Sequence, residues 1–247
     1  MPDARDDTDN PNTDVTPPAD PAPHAGTAAA QAGATLPVDP AAFADSTVAL
    51  HADTTTFAES VVALHADTVA VLAGWEPTST AAAEARDRTL ALLAAGPVAM
   101  TRAHRPGHVT ASVLIGDATG ERLLFCLHGK FGQWVQLGGH CEPTDRTLAG
   151  AALREATEES GIAGLRIDPV PIDVDIHPVP CQGGSFHHDV RFAVVAPAGA
   201  VEQVSDESEA LGWFPPDRLP TPRLDGVDQL LAPGLARLRR GLLRPAP

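Results

Sequence analysis

The chain has 247 residues, of which 43% are hydrophobic, so it is long enough to bury one or two hydrophobic cores. Its 17 Lys and Arg against 32 Asp and Glu give a net charge of −15, which argues against non-specific binding to nucleic acid or to an anionic membrane surface. The three cysteines cannot form a disulfide framework, and neither a secretory signal pattern nor a membrane-length apolar run is found. These features predict a cytoplasmic protein.

The N-terminal segment, residues 1–40, combines many Pro and Asp with almost no large apolar side chains. Such a segment cannot bury enough surface to offset the conformational entropy that is lost when it becomes ordered. We therefore predict that residues 1–40 form a disordered acidic tail.

Residues 41–104 are predicted to form a helical extension with an internal duplication. The segment Phe43–Thr54 is echoed 14 residues later by Phe57–Thr68, so large apolar residues recur along one helical face. The run Asp53–Thr56 favours a helix start, which predicts two helices here rather than one. A spare copy packed on the domain surface is the favoured interpretation, and a helix that mediates interaction or a homodimer is the alternative.

From residue 105 onward the apolar period changes from that of helices to that of strands. Strands are predicted at 108–115, 122–127, 133–137, 165–167, 172–176, 190–195 and 211–214. Helices are predicted at 78–95, 146–160 and 225–243, the last broken near Pro233 and Gly234. This order predicts a mixed α/β sandwich over 105–222, followed by C-terminal helices over 223–247.

Three carboxylates on the helix predicted at 146–160 are the strongest chemical signal. Glu158 and Glu159 follow Glu155 by three and four residues, so the three share one helical face, where like charges repel. A divalent cation would remove that repulsion, and clustered oxygen ligands suit Mg²⁺ or Mn²⁺. The alternative is a solvated acidic face. Gly138 and Gly139 end the preceding strand, where they allow a tight backbone approach and offer a carbonyl near such a metal.

These residues together resemble the box of the Nudix hydrolase family, G-x5-E-x7-R-E-U-x-E-E-x-G-U, in which U is aliphatic. Gly139 matches the opening glycine. The second half of the box is matched by Arg154, Glu155, Ala156, Glu158, Glu159, Gly161 and Ile162. Two positions depart from the pattern, because Asp145 replaces the first glutamate and eight residues rather than seven separate it from Arg154. The resemblance covers about 105–222.

The resemblance implies a Nudix-type α/β/α sandwich and a Mg²⁺-dependent hydrolase of a phosphoanhydride bond in a nucleoside diphosphate linked to another moiety. Glu155, Glu158, Glu159 and the carbonyl of Gly138 or Gly139 would hold the metal, and Arg154 would orient the carboxylates. The substituted Asp145 motivates an alternative, a Nudix-like ligand-sensing module with weak or no turnover.

Two further groups of residues lie near the predicted pocket. Lys130, the single lysine of the chain, precedes the Gly138–Gly139 strand end and is a candidate for phosphate binding, with a solvated loop cation as the alternative. The scattered His140–Cys141, Cys181 and His187–His188 match no known zinc spacing, so positions in a pocket lining or at a strand edge are favoured over a zinc site.

Overall fold

A computed structural model of the protein describes residues 41–180, 183–205 and 208–242. The predicted disordered tail, residues 1–40, and Cys181 lie outside the described residues. Within these ranges, no helix is both long and apolar enough to cross a membrane.

In the described part of the chain, two helices precede the sheet. Helix α1 spans Ala41–Gly74 without interruption, so the prediction of two helices in this region is wrong. A threonine lowers helix stability by only about 0.5 kcal/mol relative to alanine, and a short threonine run is therefore too weak to end a helix. Helix α2 spans Thr80–Leu93 and begins where predicted, because the Ser79 hydroxyl accepts a hydrogen bond from the Ala82 amide at 3.1 Å. A short 3₁₀ turn, Pro97–Met100, leads into the sheet.

Among the described residues, seven strands form one mixed sheet. They are β1 (His108–Gly116), β2 (Leu123–His128), β3 (Gln133–Val135), β4 (Leu137–His140), β5 (Arg166–Val179), β6 (Ser185–Val195) and β7 (Ser208–Phe214). Strand β1 is central: it pairs with β6 in parallel and with β2 and β4 antiparallel. The β5 strand extends one edge beyond β6, and β3 and β7 pair with β2.

Two strand predictions differ from the structure. The segment predicted as one strand at 133–137 forms both β3 and β4, which pair with different neighbours. The segments predicted separately at 165–167 and 172–176 belong to one strand, β5, whose register with β6 shifts between Asp168 and Asp173. Pro169 and Pro171 lie inside that shift and lack the amide hydrogen that a regular ladder needs.

The remaining helices cover the two faces of the sheet. Helix α3 spans Leu148–Ser160, and helix α4 spans Val227–Leu242. The predicted break in α4 near Pro233 is wrong: Leu230 and Leu238, on either side of the proline, are both buried, and their packing keeps one continuous helix. The arrangement confirms the predicted α/β/α sandwich with a mixed sheet and preceding helices.

Alternate residues of β1 divide the core into two layers. Val109, Ala111, Val113 and Ile115 pack with residues of α1, α2 and α3, whereas Leu114 packs with residues of α4. Leu64 and Leu72 of α1 belong to the first layer. The second copy of the duplicated segment, Phe57–Thr68, is therefore part of the main core through Leu64. The side chains before residue 58, which include all those of the first copy, lie outside the described residues.

Candidate active site

Helix α3 presents the predicted carboxylates. The hydroxyl of Thr147 accepts a hydrogen bond from the Gly150 amide, which caps the first turn, and Gly161 ends the helix in a left-handed conformation at φ 66°. The Glu155 side chain is 15% exposed, whereas that of Glu158 is 58% exposed. Glu159 is intermediate. The three carboxylates therefore run from the interior toward solvent along one helical face.

The end of β4 lies directly against these carboxylates. The amide of Gly138 donates a hydrogen bond to Oε2 of Glu159 at 2.8 Å. A Cβ atom on Gly139 would lie 2.7 Å from the carboxylate carbon of Glu155, so a side chain there would displace that group. A Cβ atom on Gly138 would collide with Ser112 of β1. Glycine is thus required twice for β4 to lie between β1 and α3.

Arg154 binds the residue that replaces the first box glutamate. Its Nε donates to Oδ1 of Asp145 at 3.1 Å, and its Nη2 donates to Oδ2 at 3.0 Å. Asp145 lies in the loop before the Thr147 cap and also accepts the Glu142 amide at 2.7 Å. The extra residue is therefore accommodated before α3, and the shorter aspartate still forms a two-point ion pair with the arginine.

The same guanidinium contacts the carboxylate face and β4. Nη1 of Arg154 lies 3.1 Å from Glu155 and 2.9 Å from Glu158, and Nη2 donates to the carbonyl of His140 at 2.9 Å. Burial alone would lower the pKa of Arg154, but the bonds to Asp145 and the charge of Glu155 raise it above its ordinary value. Arg154 therefore stays charged and offsets part of the repulsion among the glutamates.

A cavity of about 550 Å³ opens beside this face. One wall is formed by His140, Cys141 and the loop that follows them, with Glu155 at the helix. The rest of the lining comes from α1 and from the end of the 3₁₀ turn and the residues after it, including Leu64 and Arg102. Its volume is in the range of small-molecule sites, and it places an arginine and a carboxylate on one lining.

Lys130 lies in the exposed turn between β2 and β3. Its amide donates to Nδ1 of His128 at 3.2 Å, and its ammonium lies 5.8 Å from the ring centre of Phe131. These contacts stay within the turn, and neither of them joins Lys130 to α3 or β4. Its phosphate-binding role remains a prediction.

Three imidazoles, which we call the histidine cluster (His108, His140 and His187), meet on β1, β4 and β6. One potential ligand atom from each lies within 4.8 Å of the others, and the Nε2 atoms of His108 and His140 are 3.1 Å apart. Burial lowers the pKa of His140 to about 3 and that of His187 to about 4, so both rings are neutral at neutral pH. Sequence analysis missed His108, because only the parallel pairing of His108 with His187 reveals it.

A family model identifies the protein family to which this chain belongs. The family model described as the NUDIX domain matches residues 106–235, more than half of the chain. The chain belongs to the Nudix family. This confirms the family and the enzyme class that the sequence predicts, a Nudix pyrophosphohydrolase, whereas the roles of individual box residues remain predictions. No curated protein matches the chain.

Several solved structures of Nudix proteins are similar to this one. A NUDIX-family hydrolase from Clostridium perfringens is 22% identical, with a TM-score of 0.45, and the match covers 53% of this chain and 97% of that one. A MutT NUDIX hydrolase from Burkholderia pseudomallei is 29% identical (TM-score 0.40; 51% and 95% covered). An Ap4A hydrolase from C. elegans is 19% identical (TM-score 0.42; 53% and 98% covered).

Proposed function

We propose that this Nudix enzyme hydrolyses a phosphoanhydride bond in a nucleoside diphosphate-linked small molecule and that Mg²⁺, or Mn²⁺ in its place, is its cofactor. The observation that carries the proposal is the contact of the Gly138–Gly139 strand end with Glu155 and Glu159 on α3. That contact gathers carboxylate oxygens beside a cavity, which is the arrangement that a metal-dependent phosphate chemistry needs.

The residues of this site fit a hard divalent cation. Glu155, Glu158 and Glu159 supply carboxylate oxygens, the ligand type that Mg²⁺ and Mn²⁺ prefer. The Glu155 carboxylate lies directly against Gly139, where any Cβ atom would collide with it. These three glutamates would hold the ion, together with the carbonyl of Gly138 as a further candidate ligand.

The chain's own residues position the substrate and the carboxylates. A bound Mg²⁺ would neutralise charge on the phosphoryl oxygens and lower the pKa of a water molecule. Arg154 fixes Glu155 and Glu158 through Nη1 and is itself fixed by Asp145, so the carboxylates are preorganised. Arg102 in the cavity wall is a proposed cationic partner of substrate phosphates. A phosphate-binding role of Lys130, in the β2–β3 turn, rests on the sequence alone.

The substrate we propose is a nucleotide-type small molecule rather than a nucleic acid, because the net charge of −15 repels a polyanion and the cavity of about 550 Å³ accepts a compact ligand. We also propose that the protein acts in the cytoplasm. A homodimer through the duplicated helix remains the alternative to a monomer.

The decisive experiment is a substrate panel with metal control. Release of phosphate or nucleoside monophosphate is measured with nucleoside triphosphates, ADP-ribose, dinucleoside polyphosphates and sugar nucleotides, after chelation and after addition of Mg²⁺. We expect turnover of at least one compound with Mg²⁺ alone, and a loss of at least about 100-fold in Glu159→Gln. Glu84→Gln, an exposed glutamate on α2, is the matched control and keeps full activity.

The ligand-sensing alternative predicts a different result. It was motivated by Asp145, yet this aspartate retains the two-point pair with Arg154, which favours an intact site. Tight ligand binding without turnover on the whole panel would support the sensor, and equal turnover of wild type and Glu159→Gln would overturn the proposed role of the glutamates.

A further inference from the structure

The histidine cluster lies on a different sheet face from the α3 carboxylates. His108 is directly opposite His187 in the parallel β1–β6 pair. His140 is opposite Thr110, two residues after His108, so its side chain shares the face of His108. The intervening β1 residue, Val109, packs in the core layer of α1 to α3. The backbone pairing of three adjacent strands therefore brings the imidazoles together.

The spacing of the ring nitrogens fits a transition-metal ion. With zinc–nitrogen bonds of about 2.0–2.1 Å, tetrahedral geometry places ligand nitrogens roughly 3.3–3.4 Å apart. The Nε2 atoms of His108 and His140 are already 3.1 Å apart, and all three ligand atoms lie within 4.8 Å of one another. Small side-chain rotations on fixed strands are enough to bring them to coordination distance.

His108 is the most buried ring of the histidine cluster. Its ring takes part in a backbone hydrogen bond with His104, which helps to hold its orientation. Its Nε2, the atom nearest to His140, is the nitrogen that would bind the ion.

Neighbouring groups extend this polar arrangement. His177 of β5 is paired with His187, their ring centres being 5.4 Å apart, and its Nδ1 donates to Oδ2 of Asp175 at 2.9 Å. His177 is not one of the three proposed ligands, and Asp175 holds its ring beside His187. His140 also lines the cavity, and its carbonyl is held by Arg154. The cluster is thus connected to the candidate active site through β4.

We propose that His108, His140 and His187 bind one imidazole-preferring divalent transition-metal ion, with Zn²⁺ as the representative ion, at a site separate from the α3 carboxylates. Imidazole nitrogen favours such ions over Mg²⁺, whereas the carboxylate site favours Mg²⁺. Three protein ligands leave one coordination position for water or a ligand oxygen. This second site goes beyond the proposed hydrolase function and does not depend on it.

The test uses Co²⁺ as a spectroscopic probe for Zn²⁺ on the metal-stripped full chain. Tetrahedral Co²⁺ gives a strong visible absorption, and Zn²⁺ should displace it. The titration is repeated in a Glu155→Gln, Glu159→Gln double variant, in His140→Gln and His187→Gln, and in the control His128→Gln on β2. His140 and His187 are chosen because both are partly exposed, and circular dichroism checks that each variant is folded.

We expect one equivalent of tetrahedral Co²⁺ in wild type, in the glutamine double variant and in His128→Gln. Loss of an outer partner of a metal ligand typically weakens metal binding roughly 10- to 100-fold, and loss of a direct ligand should weaken it at least as much. His140→Gln and His187→Gln should therefore lose the signal. A signal that survives in both, or that disappears in the glutamine double variant, would overturn the proposal. An anomalous zinc peak in soaked crystals gives an independent result: between the three rings it supports the site, and at the glutamates alone it refutes it.

Discussion

At the scale of single residues, Asp145 carries an interaction that its identity alone does not reveal. The Arg154 and Asp145 side chains are 19% and 7% exposed, and their two-point bond joins the loop before α3 to the carboxylate face. The loop before the helix cap has one residue more than the box pattern. This extra length brings the shorter side chain of Asp145 within reach of Arg154.

Asp145→Asn should therefore destabilise the fold. An amide offers Arg154 one acceptor instead of two charged ones, and hydrogen bonds to charged buried groups contribute about 1.5–3 kcal/mol. We expect the free energy of unfolding in urea to fall by about 2 kcal/mol. Asp87→Asn removes an exposed aspartate (65% exposed) that pairs with Arg86, and it should change stability by less than about 0.5 kcal/mol. Equal effects of the two substitutions would contradict this account.

His188 is one of the buried histidines that should make the fold sensitive to acid. Burial, helped by the charge of Arg88, lowers its pKa to about 4, and its Nδ1 contacts the Thr89 hydroxyl at 2.9 Å. Because an unfolded histidine titrates near about 6.5, protons bind the unfolded chain more readily. The contribution of His188 to stability is therefore fully present above about pH 6.5 and is lost as the pH drops toward 4.

The measurement is the melting temperature between pH 7 and pH 4 in wild type and His188→Gln. The variant cannot take up the proton at this position, so its melting temperature should fall less steeply through that interval. Identical slopes in the two proteins would show that His188 does not contribute.

At the scale of elements, close approach of β4 to α3 forms the candidate site. The approach depends on Gly139, whose missing side chain leaves room for the Glu155 carboxylate. The adjacent Gly138 amide binds Glu159, so one strand end fixes two of the three glutamates. The site is therefore a property of the β4–α3 pair rather than of the helix alone.

Gly139→Ala should disturb chemistry more than stability. The new Cβ would lie 2.7 Å from the flexible end of Glu155, which can move aside at the expense of its position. A displacement of about 1 Å at a reacting centre can lower turnover about 100-fold, and Mn²⁺ affinity should fall with it. Gly74→Ala, where a Cβ meets no atom within 4 Å, is the control. Unchanged turnover and Mn²⁺ binding in Gly139→Ala would remove the role given to this contact.

Local signals explain which elements the sequence could predict. The caps Ser79, Thr147 and Gly161 act within one turn of the helices they bound, and α2 and α3 therefore lie close to their predicted ranges. The strand β3 pairs with β2, its neighbour in the chain, whereas β4 pairs with β1, which lies earlier in the sequence. A local pattern does not reveal that second pairing, and so it does not reveal the split. His108 escaped prediction for the same reason, since its partners lie 32 and 79 residues away in the chain.

At the scale of the whole molecule, the helices before the matched Nudix region are part of one structure with it. Leu64, Leu72 and Trp75 share a core layer with the sheet. Asp67 of α1 accepts the amide of Leu148 at 2.7 Å and so satisfies one of the unpaired donors at the start of α3. Because Leu64 also lines the cavity, α1 contributes to both the stability and the shape of the candidate site.

Leu64→Ala should reveal this dependence. The Leu64 side chain is buried in the core layer shared with the sheet, with 1% of the residue exposed, and truncation of such a leucine typically lowers stability by about 2–5 kcal/mol. Val62, two residues earlier on α1, is 55% exposed, so Val62→Ala should change the free energy of unfolding by less than about 0.5 kcal/mol. Urea unfolding of both variants, followed by fluorescence of the tryptophans, measures the difference. If Leu64→Ala were as stable as Val62→Ala, α1 would be an appended helix. A single cooperative transition at lower urea would instead show that α1 and the Nudix sheet unfold together, because their apolar side chains fill the same layer.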